Sequence, residues 1–169
     1  MKIRRRTHLV AALVIAVLLA SCTGPDGGDR HAAEGRDWHW DEQAGAAEAS
    51  AFMRVAVPED AIGTKGAVQI NPQEDVYLLT FVTTVKNAER VADDLRSEEP
   101  LKVRSKDFAP QGEPFGHLGL AEPQTLDGPR WAGVCPPCVQ DDRRGDAQWI
   151  DIYVETLKGG RARVYLQAF

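Results

Sequence analysis

The chain is poor in several residue types that carry chemistry. Of its 169 residues, three are cysteine, four histidine, two methionine and four serine. Three cysteines cannot build a disulfide-dense scaffold. The histidines, His8, His31, His39 and His117, are not spaced to join a Cys-x-x-Cys pair in a zinc site. None of the serines sits in a nucleophile-elbow context, and no glycine pattern for cradling phosphate is present. Basic side chains number 20 against 25 acidic, for a net charge of −5, which excludes binding nucleic acid through a basic surface. No apolar run reaches the roughly 20 residues that a membrane-spanning helix needs. The pairs Glu59-Asp60, Asp93-Asp94 and Asp141-Asp142 read as solvated turns or a polar helix face. No catalytic constellation, metal site or cofactor is therefore expected. What remains, 43% hydrophobic and 27% charged, is an ordinary globular composition of a length that suits one domain.

What is present begins with an address. Residues 1–8 carry Lys2, Arg4, Arg5 and Arg6 with no acid, and the apolar run Leu9–Ala20 follows. A basic start and a short apolar run form the pattern of an export signal. Arg5-Arg6 alone does not separate the general from the twin-arginine route. The run ends in Leu19-Ala20-Ser21-Cys22. This tetrapeptide resembles the lipobox of bacterial lipoproteins: a branched apolar residue, two small residues, then the lipidated cysteine. The resemblance implies cleavage between Ser21 and Cys22, diacylglyceryl attachment to Cys22, and residence on the extracytoplasmic face of the cell membrane. Two acyl chains hold where one is marginal, at about 0.8 kcal/mol per buried CH₂.

Residues 23–36, TGPDGGDRHAAEGR, are almost free of large apolar side chains and read as the rest of a flexible tether over 22–36. Such a segment spans roughly 20 Å. Without residues 1–21 the chain has 16 basic and 25 acidic side chains, net −9, so an anionic surface or polymer is a poor partner.

Residues 37–169 read as a single α+β domain: a small, mostly antiparallel sheet, one main amphipathic helix and a long Gly/Pro-rich loop. An Ala-rich stretch, 43–50, predicts a short helix. FMRVAV (52–57) predicts a strand closed by Pro58, and residues 64–70 a weaker one. VYLLTFVT (76–83) is apolar on both faces, as a central strand requires. Ala88, Val91, Ala92 and Leu95 then stand at helical spacing, with Thr84 as N-cap and the helix expected to close at Glu99 before Pro100.

Residues 149–155 and 162–169 predict a closing hairpin. The hydrophobic pattern selects one register, with Ile150 opposite Ala168, Ile152 opposite Leu166 and Val154 opposite Val164, around a loop closed by a left-handed glycine. Its other face carries Trp149, Tyr153, Tyr165 and Phe169 among charges such as Arg163. Either a loop or the Trp38–Trp40 segment covers these rings, or they form a platform for an envelope protein partner. Trp149, Tyr153, Arg163 and Tyr165 are the candidate interaction residues, since Trp, Tyr and Arg are common interface anchors.

Residues 107–148 show no sustained periodicity, and a loop of that length is functional or pinned. Cys135-Pro136-Pro137-Cys138 supplies a pin: outside the cytoplasm the pair is expected to be oxidised. The same four residues also resemble the centre of thioredoxin-type oxidoreductases. That centre, however, opens a long amphipathic helix, and QDDRRGDAQ after Cys138 has no apolar stripe. Haem attachment would need histidine where Val139 stands. The sequence thus leads to a lipid-anchored, non-catalytic binding module, with a thiol-disulfide oxidoreductase using Cys135 and Cys138 as the rival.

Overall fold

A computed structural model describes residues 38–104 and 112–169. Ser21, Cys22 and the tether lie outside the described residues. All described elements belong to one unit, Asp37–Phe169. Strand β1 (His39–Trp40) leads to helix α1 (Ala46–Met53), then strands β2 (Ile62–Ile70) and β3 (Val76–Thr84) and helix α2 (Val85–Asp94). Strands β4 (Lys102–Val103), β5 (Arg130–Val134), β6 (Ile150–Thr156) and β7 (Arg161–Ala168) complete it. The seven strands form one antiparallel sheet in the order β1-β2-β3-β7-β6-β5-β4. The α+β class with an antiparallel sheet holds, with a second helix beside the main one.

The sheet is buried on both faces, which is why β3 is apolar on both. Leu79 and Phe81 point to the helices, joining Ile150, Ile152, Val154, Val164 and Leu166 in a core closed by Met53, Ala88, Val91 and Leu95. Leu78 points the other way, into a smaller cluster with Phe115, Tyr153 and Tyr165. Neither α-helix covers this second face. Residues 113–126 do, folding Leu118, Leu120 and Leu126 against it, with Trp40 beside them.

The hairpin forms in the register chosen by its hydrophobic pattern: Ile150 pairs with Ala168, Ile152 with Leu166 and Val154 with Val164. Lys158–Gly160 make the turn, with Gly159 at φ 73°. Strand β7 sits between β6 and β3, so both of its edges are paired.

Three expectations need correction. Residues 52–57 are not a strand. Phe52 and Met53 finish α1, and Arg54 stops it in the left-handed region at φ 51°. Val55 then packs on the core from unpaired extended chain. Helix α2, capped by Thr84 Oγ1 accepting from Asn87 N–H at 3.2 Å, ends at Asp94 rather than Glu99, because Arg96 turns left-handed at φ 60°. Strand β5 lies within the stretch that showed no periodicity.

The acidic pairs do more than solvate. Asp60 accepts from Thr83 Oγ1 (2.6 Å), Asn87 Nδ2 (2.7 Å) and Thr84 N–H (3.2 Å), at the N-terminus of α2 where negative charge is favoured. Asp94 and Asp141 hold Arg144, whose side chain is fully buried. Arg144 also donates to the carbonyls of Met53 (2.9 Å), Arg54 (3.2 Å) and Asp94 (3.1 Å), so one guanidinium joins the C-terminal ends of both helices to the 135–144 segment. Arg143 adds bonds to Asp141 (2.9 Å) and Asp94 (3.0 Å).

Candidate functional site

Cys135 and Cys138 form a disulfide with 5.2 Å between Cα atoms. It lies in the turn that follows β5, where Cys138 is exposed and Cys135 half-buried. The Cys138 N–H donates to the Cys135 carbonyl (3.0 Å) and approaches Cys135 Sγ (3.3 Å). Among the described residues, no group of three or more His, Cys, Asp and Glu is placed to hold a metal ion. His117 stacks on Trp40 with ring centroids 3.9 Å apart.

The aromatic face of the hairpin is not an open platform. Tyr153 and Tyr165 are 2% and 1% exposed. Phe115 meets Tyr165 edge-on at 5.3 Å, and the Tyr165 hydroxyl donates to Glu155 (3.1 Å). The reason is the 113–126 segment, which lays its apolar side chains over the rings. Only Trp149 and Arg163 of the four candidate residues remain half-exposed, and the chain's own loop occupies the position reserved for a partner.

That cover is incomplete. Between the loop and the β5–β6 side of the sheet lies a cleft of about 480 Å³. Its floor comes from cross-strand geometry: Trp131 sits opposite Tyr153 and Gly133 opposite Asp151. Trp131 and Trp149 flank Gly133, and both indole N–H groups donate to one oxygen, Asp151 Oδ1, at 2.8 and 3.2 Å. Glycine is required between them: a Cβ at Gly133 would lie 2.3 Å from Trp149 Cζ2 and 3.0 Å from Trp131 Cζ2. Arg104 stacks on Trp131, its guanidinium carbon 4.5 Å from the ring centroid, and donates to the Tyr153 hydroxyl at 2.6 Å. Desolvation pushes the Tyr153 phenol up to about 12, so it keeps its proton at neutral pH.

The loop wall of the cleft contributes Glu122 and Gln124. Glu122 is 5% exposed, and burial raises its carboxyl above the usual range, opposed by backbone N–H bonds from Gly116 (3.1 Å) and Phe115. Its second oxygen, Oε2, has no hydrogen-bond partner, and neither has Gln124 Oε1. Of three such buried atoms among the described residues, two belong to residues that line this cleft. Buried acceptors are normally satisfied, because leaving one bare costs about 1–3 kcal/mol.

Sequence reasoning did not find Arg104, Glu122, Gln124 or Trp131, and it placed Asp151 on the aromatic face of the hairpin without giving it a role. The long loop marked the region, but no periodicity says which of its side chains turn inward. The chain matches no protein-family model, no curated protein and no solved structure.

Proposed function

We propose that this protein is a lipid-anchored binding module of the cell envelope, held at the extracytoplasmic face through Cys22, whose cleft under the 113–126 loop receives a small ligand without catalysis. The observation that carries the binding role is the pair of unpartnered buried acceptors, Glu122 Oε2 and Gln124 Oε1, on the wall of a cleft. The basic start, the short apolar run and Leu19-Ala20-Ser21-Cys22 support the anchor. Among the described residues no helix is long and apolar enough to cross a membrane.

Two measurements test it. Cys22→Ala should move the protein from the membrane to the soluble fraction, and retention in membranes overturns the anchor. The dialysable fraction of an envelope extract should raise the Tm of the full chain. A variant with Glu122→Gln and Trp149→Ala should show no rise, and an equal rise in both overturns the cleft.

The second reading is a thiol-disulfide oxidoreductase, favoured by the exposure of Cys138 at a strand end. The bridge would accept two electrons and two protons from a substrate dithiol, leaving two thiols on the chain and a disulfide on the substrate. Against it, the pair is followed by strands and 3₁₀ turns, the first at Asp142–Arg144, so no long helix lowers a thiol pKa. Oxidation of a model dithiol by the wild type and not by Cys138→Ala would establish it. For a structural bridge, reduction costs on the order of 2 kcal/mol by loop closure and no turnover is seen.

A further inference from the structure

Resting on the binding role just proposed, we infer that the cleft takes a neutral polyhydroxylated ligand, a short saccharide. The polar side chains around it include Asp151, Glu122 and Gln124, and each of these three keeps one oxygen that no donor described above takes. Vicinal hydroxyls present donors in pairs, which single oxygens on neighbouring side chains can accept one each. The unsatisfied atoms are acceptors, so the ligand must donate hydrogen bonds. Asp151 adds an oxygen, Oδ2, that takes neither indole N–H.

The charges narrow the class further. A carboxylate has no hydrogen to give Glu122 Oε2 at neutral pH, and a carboxylate or phosphate anion would meet two acidic side chains, Glu122 and Asp151. A simple ammonium ion would meet Arg104, fixed in the same cleft by Trp131 and the Tyr153 hydroxyl. A ligand that both donates and accepts while carrying no charge fits both sides. Trp149 supplies an apolar ring for the C–H face of a sugar, and its bond to Asp151 fixes the orientation of that ring. The volume falls in the range of small-ligand pockets, roughly 300–1,000 Å³.

The test uses the full chain in detergent. Maltose, cellobiose, lactose and N,N′-diacetylchitobiose are titrated at millimolar concentration while tryptophan emission and Tm are followed. At least one should give a saturable change, with affinity falling tenfold or more in Trp149→Ala and several-fold in Glu122→Gln. Inorganic phosphate and the dipeptide Ala-Ala should give none, and saturable binding of either through Glu122 in place of the sugars overturns the inference. If none of the four sugars binds, the dialysable envelope fraction decides after periodate treatment, which cleaves vicinal diols. Loss of its stabilising effect supports the saccharide, and survival of that effect overturns it while leaving the binding role standing. No effect from the untreated fraction overturns the binding role itself.

Discussion

At the scale of single residues, the cleft depends on a missing side chain. Gly133 lets two indoles converge on one carboxylate, and any Cβ there must push Trp149 aside. Gly133→Ala is expected to lower stability by about 1–3 kcal/mol, the usual result of overpacking. It should also shift tryptophan emission, because the Trp149–Asp151 bond is broken; denaturant unfolding followed by fluorescence reads both. Little of this was legible in sequence. Asp141 and Asp94 look like solvating acids because their partner Arg144 is itself an unremarkable basic residue in a polar run. Only the fold shows that its side chain is fully buried, between two helix ends. Removing it by Arg144→Ala would leave Asp141, 3% exposed, without its buried counter-charge. A loss of about 3–5 kcal/mol in denaturant unfolding is expected, as for broken buried pairs.

At the scale of elements, legibility follows the range of the interaction that fixes each one. The β6–β7 register was readable because a one-residue slip would turn Ile152 and Val164 away from the helices. Helix α2 was readable at its start, where Thr84 caps locally, and not at its end, where a backbone turn at Arg96 stops it before the proline can. Residues 53–57 do alternate inward and outward, with 53, 55 and 57 inward, but no strand comes to pair with them. Strand β5 escaped notice because its inward side chains are only Ala132 and Val134, with Gly133 between. Thr84→Ala removes the cap of α2 and is expected to cost about 1 kcal/mol, read as a lower midpoint with an unchanged denaturant slope. Thr84→Asp, which keeps an acceptor at the helix N-terminus, should recover most of it.

At the scale of the whole molecule, acid should unfold the domain for an identifiable reason. Hydrogen bonds from Arg143 and Arg144 hold Asp141 far below the usual carboxylate range. For Asp94, burial raises the carboxyl but bonds from the same two arginines lower it overall. Asp60 is lowered chiefly by its bond from Thr83, against some desolvation. Groups lowered in the folded state stabilise it above their unfolded values, near about pH 4, and that contribution is lost as pH falls towards the folded values. Glu122 is raised and works with the opposite sign: it favours folding at low pH and loses that contribution as pH rises through its folded value. Tm should therefore drop steeply below about pH 4, with a shallower slope in Asp141→Asn, measured by thermal scans across that range.

The position of β7 has one more consequence, in the timing of assembly. The strand that zips β3 to β6 is the last of the seven to leave the ribosome. Until it arrives, β3 has one open edge, β6 has no partner on that side, and the main core lacks Val164 and Leu166. A nascent chain in this condition cannot lock into its sheet early, so it stays threadable. Under the export proposed above, such lateness would suit passage by the general route, which takes unfolded chains.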